Sequence, residues 1–343
     1  MTAKPRLSSL IFEVTQRCNH ACLHCYNVWQ GGGDYPRGEL DTPRTLSLLA
    51  KALGETDCRH VTLTGGEPLL RPDLPVLLDF LEGRGVPVTI ISNGRLLDEA
   101  AAASLLEHGT SLFELPLLSH RKEVHDRLSG APGAWDAVLA AMANIRLRGG
   151  RFVAVFVLTR LNLGDLYETI RLAFAFGARA LMLNRFNPGG RGRAHIHELL
   201  PPVEQVRQAL AVGEAASAEF GLPVACSIPI QPCLVDTSAF GHLSFGFCAA
   251  GTERAYYTLD PLGNLRPCNH SETILGNLFD ESFPALVAPE RMAAFTCALP
   301  AFCGACDRRL ECQGGCKASA QVCYGSLSEP EPFLRLSNQA ASS

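Results

Sequence analysis

Three cysteines near the start of the chain have a spacing that suits a metal centre. Cys18, Cys22 and Cys25 follow a short apolar run at C-x3-C-x2-C spacing, so a strand would deliver all three onto one loop. Three thiolates on a cluster of four irons leave one iron without a protein ligand, and that iron can bind a reactant. A zinc site or buried structural thiols are the alternatives, although zinc usually takes C-x2-C pairs completed by a second pair or by histidines.

A pair of glycines followed by a carboxylate comes after the second predicted strand, in Thr64-Gly65-Gly66-Glu67-Pro68. Two glycines let the backbone approach a ligand closely, and the Glu67 carboxylate can accept hydrogen bonds from an ammonium group. Taken by itself, this segment could equally be a tight turn.

Seven further cysteines form an ordered array in the last third of the chain. They are Cys248, Cys268, Cys303, Cys306, Cys312, Cys316 and Cys323. An array in this order is more specific than any single pair, and zinc-ribbon knuckles are the alternative. The turn residues between positions 260 and 264 predict a hairpin that brings the first two of these thiols together. The remaining four cysteines, Cys58, Cys226, Cys233 and Cys297, are expected to be small buried hydrophobic side chains.

Together these motifs resemble the radical SAM superfamily with its C-terminal SPASM extension. The resemblance implies that Cys18, Cys22 and Cys25 ligate a 4Fe-4S cluster whose open iron chelates S-adenosylmethionine. It implies that Gly65, Gly66, Glu67 and Pro68 form the motif that binds the methionine amino group, that His24 packs near the adenine, and that Ser92 and Asn93 lie on the ribose side. Where the family often has Ser-x-Asp-Gly after the fourth strand, this chain reads Pro116-Leu117-Leu118-Ser119, which leaves Ser119 as the local candidate for the contact to the cofactor carboxylate.

The same resemblance implies two auxiliary iron-sulfur clusters, expected to be 4Fe-4S, and therefore three clusters in all. One would be ligated by Cys303, Cys306, Cys312 and Cys323, and the other by Cys248, Cys268 and Cys316. No further cysteine follows Cys248 closely, so this second cluster has an open iron or a ligand other than cysteine, with Glu253 as a candidate. Asn269 stands where sulfatase-maturating relatives carry an aspartate base, and because an amide cannot accept a proton at neutral pH, no catalytic base is assigned.

Alternating apolar and amphipathic stretches predict six strand-helix units up to about residue 184. The predicted strands cover residues 8–14, 60–63, 86–91, 112–117, 152–158 and 178–183. We therefore expect an α/β fold: a partial (β/α)6 TIM-type barrel with its ligand site at the carboxyl ends of the strands, followed by a cysteine-rich α+β SPASM domain. The expected division is a radical SAM core at 1–187, a connecting segment at 188–247, the auxiliary-cluster domain at 248–325 and a flexible tail at 326–343.

Composition excludes several classes of partner. A net charge of −4 and the absence of a Lys/Arg-rich run argue against nucleic acid. No apolar run is long enough to span a membrane, and residues 1–7 lack the apolar region of a signal peptide, so a cytoplasmic location without membrane association is expected. Because that compartment keeps thiols reduced, a content of fourteen cysteines is better explained by metal ligation or catalysis than by disulfides.

The resemblance implies reductive cleavage of S-adenosylmethionine to a 5'-deoxyadenosyl radical, which abstracts a hydrogen atom from a substrate carbon. The favoured reaction is oxidation or cross-linking of a ribosomally synthesised peptide. The alternative substrate is a small molecule such as a tetrapyrrole, sugar or alcohol. The alternative class of protein is a non-catalytic electron-transfer or sensor protein. The first predicted strand starts almost at once, so we expect a separate recognition protein to present any peptide. A flavodoxin- or ferredoxin-type protein is the expected reductant.

Overall fold

The computed structural model describes residues 4–335, and one continuous sheet of eleven strands runs through that part of the chain. The strands are β1 Arg6–Leu7, β2 Ser9–Thr15, β3 Asp57–Cys58, β4 Val61–Gly65, β5 Val88–Ile91, β6 Thr110–Pro116, β7 Phe152–Leu158, β8 Leu181–Arg185, β9 Val224–Cys226, β10 Leu243–Phe245, β11 Tyr256–Leu259, β12 Asn264–Arg266 and β13 Gly276–Asn277. The helices are α1 Thr42–Glu55, α2 Leu74–Glu82, α3 Glu99–Glu107, α4 Lys122–Ser129, α5 Ala134–Leu147, α6 Leu166–Ala175, α7 Ile196–Leu199, α8 Val203–Phe220, α9 Phe283–Leu286, α10 Pro289–Thr296, α11 Arg309–Cys312 and α12 Lys317–Tyr324.

Six parallel strands, in the order β2-β4-β5-β6-β7-β8, form the centre of this sheet, with β1 and β3 paired separately. These are the six strands that the sequence predicted, and their observed ends differ from the prediction by a few residues at most. Helices α1, α2, α3, α5 and α6 lie between them in the chain, as expected for strand-helix units. The α/β fold class with a parallel sheet is therefore confirmed.

Local sequence explains where the helices begin. The Asp41 carboxylate accepts a hydrogen bond from the Arg44 backbone N–H at 2.9 Å, and Pro43 occupies the first turn of α1. Leu48 and Leu49, further along the same helix, are fully buried in the core. The cap and the apolar stripe together fix both the start of α1 and the face that it turns toward the sheet.

The central strands are extended at both edges by segments that the sequence did not place in the sheet. β9 pairs in parallel with β8, and β10 pairs in parallel with β9, so residues from the predicted connecting segment 188–247 enlarge the sheet. On the other edge, β11 pairs in parallel with β2, and the β11-β12 hairpin was predicted correctly. The parallel pairing of β11 with β2 was not predicted.

Two buried ion pairs connect the C-terminal region to the central strands, one at each side. Arg266 in β12 pairs with Glu13 in β2, and Arg185 at the end of β8 pairs with Glu331 at 2.6 Å. All four side chains are essentially inaccessible to solvent. Both pairs join residues far apart in sequence, so they stabilise one tertiary arrangement rather than a local element.

The burial of residues 331–334 does not agree with the predicted flexible tail at 326–343. Glu331, Phe333 and Leu334 are each about 1% exposed, and Arg335 lies over the Tyr324 ring with 4.4 Å between its guanidinium carbon and the ring centroid. The polar and proline-rich composition concealed two apolar side chains and one carboxylate that have partners inside the protein. Residues 336–343 of that prediction, and residues 1–3 at the N-terminus, lie outside the described residues.

Helix α8, with 18 residues, is the longest helix in the described part of the chain. Within residues 4–335, no helix has both the length and the apolar character that crossing a membrane requires.

Candidate active site

A cavity of about 1000 Å³ lies at the carboxyl ends of the central parallel strands. Its wall combines the first cysteine loop, the glycine-rich segment after β4, strand residues from β6 to β8, and the C-terminal region around Cys248 and His270. The position agrees with the general rule for parallel sheets, in which ligands bind where the strands end.

The glycine-rich segment and the cysteine loop are joined by backbone hydrogen bonds. The Gly66 N–H donates to the Thr15 carbonyl at 2.8 Å, and the Glu67 N–H donates to the Arg17 carbonyl at 2.7 Å. The side-chain amide of Asn27, which follows the third cysteine of the loop, donates to the Gly65 carbonyl at 2.8 Å. The two motifs that the sequence identified separately therefore form one structural unit, and Asn27 is a member that the sequence analysis missed.

This close approach requires glycine at both positions of the pair. A Cβ on Gly66 would lie 2.0 Å from the Arg17 carbonyl oxygen, and one on Gly65 would lie 2.3 Å from the Thr15 carbonyl oxygen. Gly65 also has a φ of +132°, which side-chain-bearing residues rarely adopt. The glycine pair therefore allows the two backbone segments to pack directly against each other.

The Glu67 carboxylate does not line the cavity, contrary to its expected contact with the cofactor amino group. One oxygen accepts hydrogen bonds from Ser92 Oγ at 2.8 Å and from the Leu69 N–H, and the other accepts one from the Asn93 N–H at 2.8 Å. The side chain is 1% exposed, and burial raises its pKa to about 7 against the opposing effect of these donors. Glu67 thus connects the segment after β4 to the segment after β5. Pro68 is buried in the short 3-10 helix that follows.

Ser119, the predicted contact to the cofactor carboxylate, also lies away from the cavity wall. It is fully buried, its hydroxyl donates to Asp165 at 2.7 Å, and it accepts from the Arg121 N–H at 2.8 Å. Arg121 completes the group by donating to the same Asp165 carboxylate at 2.8 Å. Leu117 and Leu118 are buried immediately after β6. The chain therefore enters the protein interior before it reaches Ser119.

The remaining small-molecule positions predicted from the sequence do reach the cavity. His24, Gly65, Gly66, Ser92 and Asn93 all line it. Burial lowers the pKa of His24 to about 4, so its imidazole is neutral at physiological pH. The amide of Asn93 donates to Asn19 in the cysteine loop at 2.7 Å, which ties the segment after β5 to the same unit.

The three thiols of the first loop lie together beside this unit. Burial raises the pKa of Cys22 and Cys25, the latter to about 11, and the neighbouring loop thiols add to the effect. A buried thiolate of this kind is stable only beside a cation, and metal binding deprotonates it outright. In the described part of the chain no three His, Cys, Asp or Glu side chains converge as the ligands of a single metal ion would. A four-iron cluster takes each thiolate on a different iron, so this donor set fits such a cluster.

A second group of thiols lies around Cys248. Cys248 is on the cavity wall, and the charges of Cys248 and Cys268 each act on the buried Tyr256 hydroxyl. Cys316 is close to Cys268 and accepts a hydrogen bond from the Asn187 amide at 3.2 Å. The grouping of Cys248, Cys268 and Cys316 predicted from the resemblance is therefore compatible with the geometry. Asn187 was not anticipated, and its Oδ1 is buried with no partner in residues 4–335.

A third group lines a separate pocket of about 120 Å³. Cys303, Cys306 and Cys312 are there together with Cys233, whereas Cys323 is not on this wall. The prediction that the four remaining cysteines are buried hydrophobic side chains is wrong for Cys233 and Cys297, which are exposed, and correct for Cys226, while Cys58 is partly buried. All fourteen cysteines lie in the described residues and are free thiols.

Glu114 in β6 is a carboxylate that the sequence analysis overlooked. Its side chain lines the cavity and has no hydrogen-bond or ion-pair partner among residues 4–335, and burial raises its pKa to about 7. A lone glutamate within the apolar run of a strand was the available signal. Glu253, the candidate ligand, also lines the cavity.

Asn269 supports a ring pair on the cavity wall. Its amide donates to the Tyr26 hydroxyl at 3.1 Å, and Tyr26 stacks on His270 with 4.2 Å between ring centroids. This contact agrees with the expectation that Asn269 does not act as a base.

Comparison with known proteins assigns a family to this geometry. The profile of the radical SAM superfamily matches residues 12–173. PqqA peptide cyclase of Ruegeria pomeroyi is 30% identical over 96% of this chain and 87% of its own length. Mycofactocin maturase MftC of Mycobacterium ulcerans is 29% identical over 94% of this chain and 86% of its own length.

Solved structures share the fold. The crystal structure of SuiB from Streptococcus suis, bound to the precursor peptide SuiA, superposes with a TM-score of 0.72 at 15% identity, covering 97% of this chain and 76% of SuiB.

Proposed function

The chain belongs to the radical SAM superfamily, and from that membership we propose that it is an enzyme that oxidises or cross-links a ribosomally synthesised peptide. Its relatives with the names peptide cyclase and maturase, similar over most of both chains, support a peptide substrate. The observation that carries the proposal is the large cavity, whose wall includes both the first cysteine loop and Cys248. A substrate in that cavity would be near both thiol groups.

The cavity has room for a cofactor together with part of a substrate. Its volume of about 1000 Å³ is at the upper end for small-molecule sites. Bound there, a core 4Fe-4S cluster and S-adenosylmethionine would supply radical chemistry able to remove a hydrogen atom from a substrate carbon. The surrounding strands exclude water from the reacting atoms, which is the control that a protein adds to cofactor chemistry.

We assign the residues of the core site as follows. Cys18, Cys22 and Cys25 would hold the core cluster, and the backbone of Gly65 and Gly66 would contact the methionine end of the cofactor. Ser92 and Asn93 would lie beside the ribose, and His24 beside the adenine. Glu67 acts as a positioning residue, because its carboxylate holds the Ser92-Asn93 segment against the glycine-rich segment.

Glu114 is our candidate for the proton acceptor. Oxidation of a substrate carbon releases a proton as well as electrons, and a carboxylate with a pKa near 7 can take up that proton at neutral pH. Glu114 reaches the cavity from β6 without a competing partner in the described residues. Its carboxylate oxygens are therefore available to the substrate.

We further propose two auxiliary clusters, one built on Cys248, Cys268 and Cys316 and one on Cys303, Cys306 and Cys312. They would accept the second electron from the substrate or hold a substrate atom. The thiol-rich composition supports a reducing, cytoplasmic location. We also propose a flavodoxin- or ferredoxin-type reductant and a separate protein that presents the peptide. We divide the chain into a core at 1–187, a connecting segment at 188–247 and an auxiliary domain at 248–325.

The test uses enzyme purified and reconstituted without oxygen. It is incubated with S-adenosylmethionine, dithionite and the short peptides encoded beside its gene, and 5'-deoxyadenosine and peptide mass are measured. We expect 5'-deoxyadenosine together with a peptide that has lost hydrogen atoms. If a tetrapyrrole, sugar or alcohol raises 5'-deoxyadenosine formation and no peptide does, the peptide assignment is wrong.

The control is a Cys18/Cys22/Cys25 triple alanine variant. We expect it to form no 5'-deoxyadenosine and to contain about four fewer iron atoms than a wild type with about twelve. Zinc in place of iron in the wild type, or retained turnover in the variant, would contradict the proposed chemistry.

A further inference from the structure

We propose that Cys233, rather than Cys323, is the fourth thiolate ligand of the auxiliary cluster that Cys303, Cys306 and Cys312 hold. This inference rests on the proposed function, because it assumes that the third thiol group binds an iron-sulfur cluster. It changes the ligand set that the resemblance implied, and it makes a cysteine outside the C-terminal array part of a metal centre.

The first argument is the composition of the pocket wall. Four thiols, those of Cys233, Cys303, Cys306 and Cys312, border a cavity of about 120 Å³. That volume is several times the space that one water molecule needs, so the pocket has room for a polynuclear centre. Four thiolates are the complete ligand set of a 4Fe-4S cluster.

Both chain segments that carry these thiols are held in place by hydrogen bonds. The Leu234 and Val235 N–H groups donate to the Gln231 carbonyl at 2.9 and 3.1 Å, which forms the turn around Cys233. Gln231 is itself buried and bonded through its side chain to Glu331. The opposite wall is a series of turns in which the Cys306 N–H donates to the Cys303 carbonyl at 3.1 Å. The thiols are therefore presented to one another by backbone that is already ordered.

Cys323 is placed elsewhere. It lies in the last turn of α12. It follows the motif in sequence, but it does not line the pocket that Cys303, Cys306 and Cys312 border.

The charge of the pocket wall also suits a cluster. A four-iron centre with four thiolates carries net negative charge, and nearby positive charge stabilises it. Arg308 and Arg309 both border the pocket, and Arg309 is oriented by a hydrogen bond to the Gly304 carbonyl at 3.0 Å.

The experiment compares Cys233→Ser with Cys323→Ser and with Cys297→Ser, an exposed thiol outside the pocket. Each variant is purified without oxygen, checked by circular dichroism, and assayed for iron, sulfide and the electron paramagnetic resonance of the reduced clusters. We expect Cys233→Ser to lose about four of about twelve iron atoms, or to show an altered signal from one cluster, while the other two variants match the wild type. Iron loss in Cys323→Ser, or an unchanged Cys233→Ser, would overturn the assignment.

A second measurement avoids substitutions altogether. Fully loaded wild-type enzyme is treated with iodoacetamide before and after iron is removed by a chelator, and the labelled cysteines are located by mass spectrometry. We expect Cys297 to be labelled in both samples and Cys233 only after iron removal; labelling of Cys233 in the loaded enzyme would overturn the assignment. Formation of 5'-deoxyadenosine, measured alongside, reports the core cluster, so failure of this inference can be distinguished from failure of the proposed function.

Discussion

Replacing Glu331 by alanine should strongly destabilise the protein, although this residue lies in a segment whose composition resembles a tail. The Glu331 carboxylate accepts hydrogen bonds from Arg185 Nη2 at 2.7 and 2.6 Å and from the Cys316 N–H at 2.9 Å. The side chains of Arg185 and Glu331 are both 0% exposed. The alanine variant therefore leaves a guanidinium group in the interior without a counter-charge.

The magnitude follows from the burial of the pair. Removing one partner of a buried ion pair costs about 3–5 kcal/mol, because the remaining charge stays away from water. The backbone N–H of Cys316 also loses its acceptor, which favours the upper part of that range. At about 1.4 kcal/mol for each factor of ten, the ratio of folded to unfolded protein should fall by roughly two to three and a half orders of magnitude.

The assay is urea unfolding of the loaded protein under anoxic conditions, followed by circular dichroism and by cluster absorbance. The free-energy difference is obtained from the shift in midpoint multiplied by the common slope. Glu168→Ala is the matched control, because Glu168 forms an exposed pair with Arg171 at 2.5 Å within one helix. That control should cost less than about 0.5 kcal/mol.

A double variant tests the reason for the effect. In Arg185→Met with Glu331→Leu, both charges are replaced by apolar side chains, so no charge is left unpaired and most of the lost stability should return. The reasoning is refuted if Glu331→Ala costs no more than the exposed control, or if the double variant is no more stable than Glu331→Ala.

Three further predictions concern the core site. Gly66→Ala should reduce the iron content of the core cluster, because the added Cβ would lie 2.0 Å from the Arg17 carbonyl oxygen and displace the cysteine loop. Iron and sulfide quantitation measures the loss. Ser92→Ala removes a donor to the buried Glu67 carboxylate and should weaken S-adenosylmethionine binding about tenfold or more, as measured by anoxic calorimetry. Burial raises the pKa of Glu114 to about 7, so the ionised carboxylate, which can accept a proton, predominates above that pH. The rate of peptide oxidation should therefore rise between about pH 6 and 8 and then level off. The Glu114→Gln variant should lack this rise.

Each of these predictions has a control. Gly54→Ala faces open space and should keep its iron, so equal loss in both glycine variants would contradict the steric argument. Ser92→Thr retains the hydroxyl and should bind the cofactor more tightly than Ser92→Ala. A pH profile that is the same for wild type and Glu114→Gln would exclude Glu114 as the group that titrates.

The parallel strand order could be predicted because each strand and helix has a local signature. Asp41 and Pro43 identify the start of α1, and apolar runs identify β2 and β7. The cysteine loop and the glycine-rich segment could be placed near one another because both follow strands of the same sheet. The two segments also hydrogen-bond directly through Gly66 and Glu67. These bonds depend on the distance between the two strands, which neither motif predicts.

The direction of individual side chains could not be predicted. Glu67 and Ser119 both have the chemistry of ligand-binding residues, yet each satisfies buried polar groups instead. In a polar interior network, the partners of a residue come from other segments, and sequence spacing does not specify them. Cys233 illustrates the same limit, because it reaches its pocket from a turn about seventy residues before Cys303.

The pairing of strands that are distant in sequence was the other feature that the sequence analysis did not predict. β11 has the sequence of an ordinary hairpin strand, and its antiparallel partner β12 follows it directly in the chain. Nothing local indicates that its second edge pairs with β2, at the opposite end of the chain. Glu331 was similarly concealed between two prolines, in a composition typical of a linker.

The pairing of β11 with β2 has a consequence for how the protein is made. β2 leaves the ribosome about 240 residues before β11 is synthesised, and at about 5–20 residues per second its outer edge waits roughly ten to fifty seconds for its partner. During that interval the nascent chain presents bare backbone N–H and C=O groups that favour aggregation, with the Cys18–Cys25 loop still accessible beside them. The edge of β2 therefore needs protection from aggregation during this period of translation.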